Sequence, residues 1–220
     1  MSGLQASMRL YGLVKTTGSS DDPNRQAVEI LCMAQRPGGL AIRAFVSRLD
    51  AELMTRSADL GDYRVVALRT FDPTAIIDAH QGWLMLHICC GFVALAGHSL
   101  LKNGALIPMG WHVYSEVGRW TSRHHLDLGV EMVELLQSTF ERNHLRNYNA
   151  WLNELDDATP AELSWQANEA WRAIQTATSP ESREHCHALF DPVDNRWRFA
   201  ATDIDIYQPS PAPLKQGALN

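Results

Sequence analysis

Thr74–Lys102 reads TAIIDAHQGWLMLHICCGFVALAGHSLLK, and how this stretch is read decides the fold. Between Gly82 and Leu101 no residue carries a fixed charge, and the polar interruptions are His87, His98 and Ser99. Asp72 and Pro73 before it are a natural N-cap and first helical residue. Asn103-Gly104 after it is a natural helix stop. Between those marks the expectation is one helix about 40 Å long, enough to cross a small domain. The 20 uncharged residues from Gly82 to Leu101 also meet the length of a membrane span. Two histidines, three glycines and the lack of a flanking basic cluster favour a helix buried in a water-soluble protein instead.

Outward from this centre, residues 1–72 read mainly as strands. Met8–Thr16, Gln26–Ala34, Leu40–Val46 and Tyr63–Thr70 carry strand formers between turn clusters, with a short helix over Ser47–Leu60. Arg36-Pro37-Gly38-Gly39 sets the second and third strands at hairpin distance, hence antiparallel. Residues 73–190 read mainly as helices: the central one, a second from Ser122 to Leu155, a third opened by the capping box Thr159-Pro160-Ala161-Glu162, and a short fourth over Ser179–Phe190. A short strand is expected around Trp111–Val117. Residues 196–207 alternate as a strand returning to the sheet, and 208–220 form a proline-rich tail. The expected fold is α+β: one domain over 1–207, with an N-terminal antiparallel sheet, a long buried central helix and a helical C-terminal half.

Composition narrows the function classes. With 220 residues, 45% of them apolar and 20% charged, the chain can bury a sound core. Its 19 Lys and Arg against 25 Asp and Glu, net −6, disfavour a phosphate-backbone binder, so no nucleic acid is expected. The four cysteines, Cys32, Cys89, Cys90 and Cys186, show no C-x-x-C spacing. The N-terminus has no basic stretch followed by an apolar core, so a reducing cytoplasm with free thiols is the default.

Three constellations could carry chemistry. On a helix, His80, His87 and His98 would share a face, but steps of seven and eleven residues separate their rings by about 10 and 16 Å. No single ion could then be held by two of them. Glu-x-x-His occurs twice, at Glu141–His144 and Glu184–His187. Two such motifs with two further carboxylates form the di-metal site of ferritin-like bundles. This chain departs from that pattern, offering histidines on its central helix and strands in its first third, so no family resemblance follows. A candidate Fe, Mn or Zn site would use Glu141, His144, Glu184, His187 and His87. Cys89 and Cys90 could pair with a histidine as nucleophile and base. Their apolar surroundings point instead to inert thiols.

The chain holds seven tryptophans. Trp111, Trp120 and Trp197 fall at or near element ends, where an indole is a good anchor for another chain. The leading expectation is a non-catalytic protein-interaction or assembly protein, self-association included, such as an accessory component of a phage, virus or bacterium. No cofactor and no membrane partner is favoured. The alternative is a metal-dependent enzyme using the Glu/His set.

Overall fold

The computed structural model describes residues 9–17, 27–35, 39–121, 124, 126, 128–145, 147–177 and 186–201. The first third forms the elements its alternation predicts. β1 (Tyr11–Thr17) pairs antiparallel with β2 (Ala27–Ile30), and β3 (Cys32–Gln35) pairs antiparallel with β4 (Gly39–Phe45). β2 and β3 are one apolar run bent at Leu31. There the Leu31 N–H donates to the Leu13 carbonyl, and the Leu31 carbonyl accepts from the Arg43 N–H. The bent run thereby bridges β1 and β4, which meet each other at Tyr11 and Phe45, and the sheet curls. Helix α1 (Arg48–Ser57) follows, capped by Ser47, whose hydroxyl oxygen accepts from the Leu49 and Asp50 N–H groups. β5 (Arg64–Ala67) returns antiparallel beside β1 and ends in a 3-10 turn, Leu68–Thr70.

The central stretch overturns the expected long helix. The N-cap is Pro73 rather than Asp72, whose carboxylate, one residue earlier, accepts from the Thr74 N–H at 2.9 Å, and α2 (Thr74–Ala79) stops after 6 residues. Gln81 and Gly82 turn left-handed, with φ of 55° and 90°, and the chain enters β6 (Trp83–Leu95), a strand of 13 residues. Ala96 and Gly97, with φ of 50° and 80°, make a two-residue hairpin into β7 (His98–Lys102). Asn103-Gly104, read above as a helix stop, is the next hairpin turn (φ 53° and 83°) and leads to β8 (Ala105–Leu106). The physical reason is position. β6 pairs with β4 on one edge and with β9 (Pro108–Glu116) on the other, and both faces of most of its length are covered. A strand so placed has no polar side, and its sequence becomes a continuous apolar run.

The C-terminal half is not helical throughout. The expected helix Ser122–Leu155 is two helices, α3 (Val130–Arg142) and α4 (Tyr148–Asp157), broken where His144 and Asn147 adopt φ of 58° and 60°. α5 (Pro160–Ala173) opens with the expected capping box. The expected helix Ser179–Phe190 falls partly on residues 178–185, outside the described residues, while β11 (Cys186–Asp191) is a strand in a hairpin with β12 (Arg196–Ala201). Two residues, β10 (Thr176–Ala177), lie parallel to β7. Residues 202–207 of the expected last strand and the tail 208–220 lie outside the described residues.

Twelve strands form one mixed sheet, curled into a half-barrel, and five helices pack with it among the described residues. The fold is α+β, with strands spread along the chain. Its main core sets Ile42, Leu86, Ile88 and Phe92 of the sheet with Leu136, Phe140, Trp151, Leu155 and Leu163 of α3, α4 and α5. Two arginines of α1 fasten those helices. Arg48 donates to the Leu155 and Ala158 carbonyls at the end of α4, and Arg56 to the Ser164 hydroxyl of α5 at 2.9 Å. A second cluster on the opposite face joins Leu13, Phe45 and Cys89 with Ala51 and Met54 of α1. Among the described residues no helix is long and apolar enough to cross a membrane.

Candidate functional site

Strand alternation sends odd-numbered residues of β6 to the α1 side of the sheet. Cys89 is covered there by α1, but the cover thins toward the start of the strand, and Trp83 is 44% exposed. Between them the register sets Arg43 of β4, His87 of β6 and His112 of β9 side by side in one row. The imidazoles of His87 and His112 stack, with centroids 4.7 Å apart and planes 17° from parallel. Met85 and Tyr114 form the neighbouring row, and Phe45, Cys89 and Gly110 the one on the other side. Of the central row, His87 is buried while Arg43 and His112 are half-buried.

Burial dominates the electrostatics of this face. It pulls the His87 imidazole down to about 3, helped by His112 and Arg43, so the ring is neutral at physiological pH. His112 is lowered for the same reason. The Cys89 sulfur lies 3.4 Å from His87 Nδ1, the contact a thiolate–imidazolium pair would need. Burial pushes that thiol up to about 12, so both partners rest uncharged and the pair is no activated nucleophile. Arg43 carries the row's fixed charge. Its Nε is buried and has no hydrogen-bond acceptor.

A polar knot lies one step further along β6. The β6–β9 register slips between Cys89 and Phe92, so β6 carries a bulge with Gly91 in it at φ 71°. A Cβ on Gly91 would meet the Ala188 carbonyl oxygen at 2.3 Å, and one on Gly110 across the ladder would meet the Ile88 oxygen at 2.0 Å. The Gly91 N–H, freed from the ladder, donates to Asp50 Oδ2 at 2.9 Å. Asp50 is 2% exposed, and burial raises its carboxyl to about 7 against the pull of that hydrogen bond. His187 of β11 donates through Nε2 to the Cys90 carbonyl, and burial holds its imidazole at about 4. Burial and then Asp50 raise the Cys90 thiol well above the ordinary range. Cysteine, histidine and aspartate thus gather at the bulge, where Asp50 Oδ2 and His187 Nε2 are bonded to its backbone. The arrangement pins the bulge.

The sequence-derived candidates are dispersed. Glu141 is exposed on α3, and His144 is exposed at the break after it. His187 is buried at the bulge, His87 lies in the row before it, and Glu184 falls outside the described residues. Among the described residues no three of His, Cys, Asp and Glu converge as they would on an Fe, Mn or Zn ion. The histidine stripe dissolves with the helix that carried it: His80 ties α2 to β4 by accepting from the Leu40 N–H at 2.9 Å, and His98 is exposed beside a turn.

Among the tryptophans, Trp111 packs edge-on to His187 and Trp120 stacks on His124. Trp197, expected at an interaction surface, is core. It is 8% exposed between Phe92 and Phe190, and its Nε1–H donates to the Ala170 carbonyl at 2.9 Å. The exposed indoles are those of Trp83, Trp165 and Trp171.

Sequence reasoning missed Arg43 and Asp50. Arg43 had a signal, since a lone cation inside the apolar run LAIRAFV marks the strand's second face. Asp50, between Leu49 and Leu53 on the buried stripe of α1, had a weaker one. Comparison with family models, curated proteins and solved structures returned no match.

Proposed function

We propose that this chain is a non-catalytic protein-interaction or assembly component, binding another protein chain, a second copy included, through apolar side chains that it leaves in water. The observation that carries the reading is Trp165. Helix α5 packs Leu163, Ala167 and Ala170 inward and holds this indole outward, 64% exposed. Trp83 gives the open sheet face a second such side chain. Indoles are the side chains most often found as energetic anchors of interfaces, and a folded chain gains nothing by leaving them solvated.

Light scattering on the purified chain, with Trp165→Ser and Trp83→Ser beside it, tests the reading. Support is a mass above 24.6 kDa, or a stoichiometric co-purifying partner, that falls away in either variant while the near-ultraviolet dichroism outside the lost indole band is kept. A strict monomer that retains no partner, or a complex indifferent to both substitutions, defeats it.

A further inference from the structure

We infer that the row Arg43–His87–His112 is a binding site for an oxyanion, a carboxylate or a phosphoryl group, on the face of the sheet that α1 leaves open. The inference stands independently of the tryptophan reading.

Position comes first. The three side chains sit on adjacent strands at matched register, so they span two inter-strand spacings, about 10 Å, on one face. Everything polar in this row is nitrogen: a guanidinium and two imidazoles. The flanking rows supply Met85, Tyr114, Phe45, Cys89 and Gly110, none of them a carboxylate. The nearest acid along β9, Glu116, stands opposite Trp83, two rows away.

The second observation is the orphaned donor. Arg43 Nε is buried with no acceptor, and none of the ion pairs among the described residues includes Arg43. A buried donor left unmade is rare in folded chains. Arg198 is held by Asp191 through both Nε and Nη2, at 3.0 and 2.7 Å, and Arg56, whose Nε is likewise without an acceptor, is held through its Nη atoms by Ser164 and Asn168. Arg43 carries the same planar guanidinium, with no acceptor at its Nε. A planar guanidinium edge matches two oxygens of a carboxylate or phosphate, and the neutral His87 imidazole beside it adds an N–H donor. The same fixed charge disfavours a metal dication at His87.

The whole chain is titrated with inorganic phosphate and, separately, with sodium acetate at constant ionic strength, read by calorimetry and by the ring C–H resonances of His87 and His112. Saturable binding that moves those resonances and weakens about tenfold or more in Arg43→Met supports the site. A response to phosphate with acetate silent identifies a phosphoryl ligand, and a response to both identifies a carboxylate as a sufficient one. Arg43→Met removes an unpaired cation from an apolar setting, so it should fold; if it does not, His112→Asn takes its place. Resonances that respond to neither anion more than to chloride, or binding unchanged in the variant, overturn the proposal.

Discussion

Gly91 is the residue on which the centre of the sheet depends. Its left-handed backbone and its approach to the Ala188 carbonyl leave no room for a Cβ. Gly91→Ala should destabilise the fold by about 3 kcal/mol or more, combining backbone strain with a backbone clash. A urea titration checks it, and a loss under about 1 kcal/mol would mean that β11 moves aside freely. Nothing in the sequence singles out Gly91 from the chain's other glycines. The bulge that needs it is set by β9 and β11, and their register cannot be read locally.

At the scale of elements, legibility followed locality. α5 was readable because its signal lies within four residues: Thr159 Oγ1 accepts from the Glu162 N–H, and the Glu162 carboxylate answers the Thr159 N–H at 2.8 Å. Thr159→Ala should cost about 1 kcal/mol, seen as a lower denaturation midpoint with an unchanged denaturant slope. The β1–β4 region was readable for the same reason, since its pairings are short-range. β6 was not. Asp72-Pro73 does mark a helix start, one residue later than expected, and Asn103-Gly104 does mark a turn; what lay between them was decided by partners elsewhere in the chain. Asn-Gly is a stronger hairpin mark than a helix stop, and here it makes the left-handed turn between β7 and β8. The same misreading made a false stripe of His80, His87 and His98. It also hid the row that joins His87 to Arg43 and His112.

For the molecule as a whole, the buried titratable groups fix how stability depends on pH. Asp50 rises from 3.8 when free to about 7 when folded, so its contribution is full below the lower value and drains away as pH rises to the upper one. His87 and His187 fall from 6.5 to about 3 and about 4, so theirs is full above 6.5 and is lost as pH falls. These two histidines outweigh the one carboxyl between pH 4 and 6.5, a net rise of about 1.4 kcal/mol per pH unit, and His112, lowered as well, adds in the same direction. The urea midpoint should therefore climb from acid to about pH 6.5 and change little just above it. Asp50→Asn, which keeps an acceptor for Gly91, should steepen the acid limb. A midpoint that is flat between pH 4.5 and 6.5 would mean that both imidazoles reach water in the folded state.

The double-sided pairing of β6 has a consequence for how the molecule comes into being. β4 takes Leu86–Cys89 on one edge, and β11 takes Phe92–Ala94 further along that same edge, since Phe92 and Ala94 also pair across the other. During synthesis the greasiest strand of the chain leaves the ribosome about ninety residues ahead of the partner that closes its seam. Until that partner arrives, a bare ladder of amides flanked by oily side chains faces water or a chaperone, and the nascent protein is most vulnerable to sticking to its neighbours in that interval.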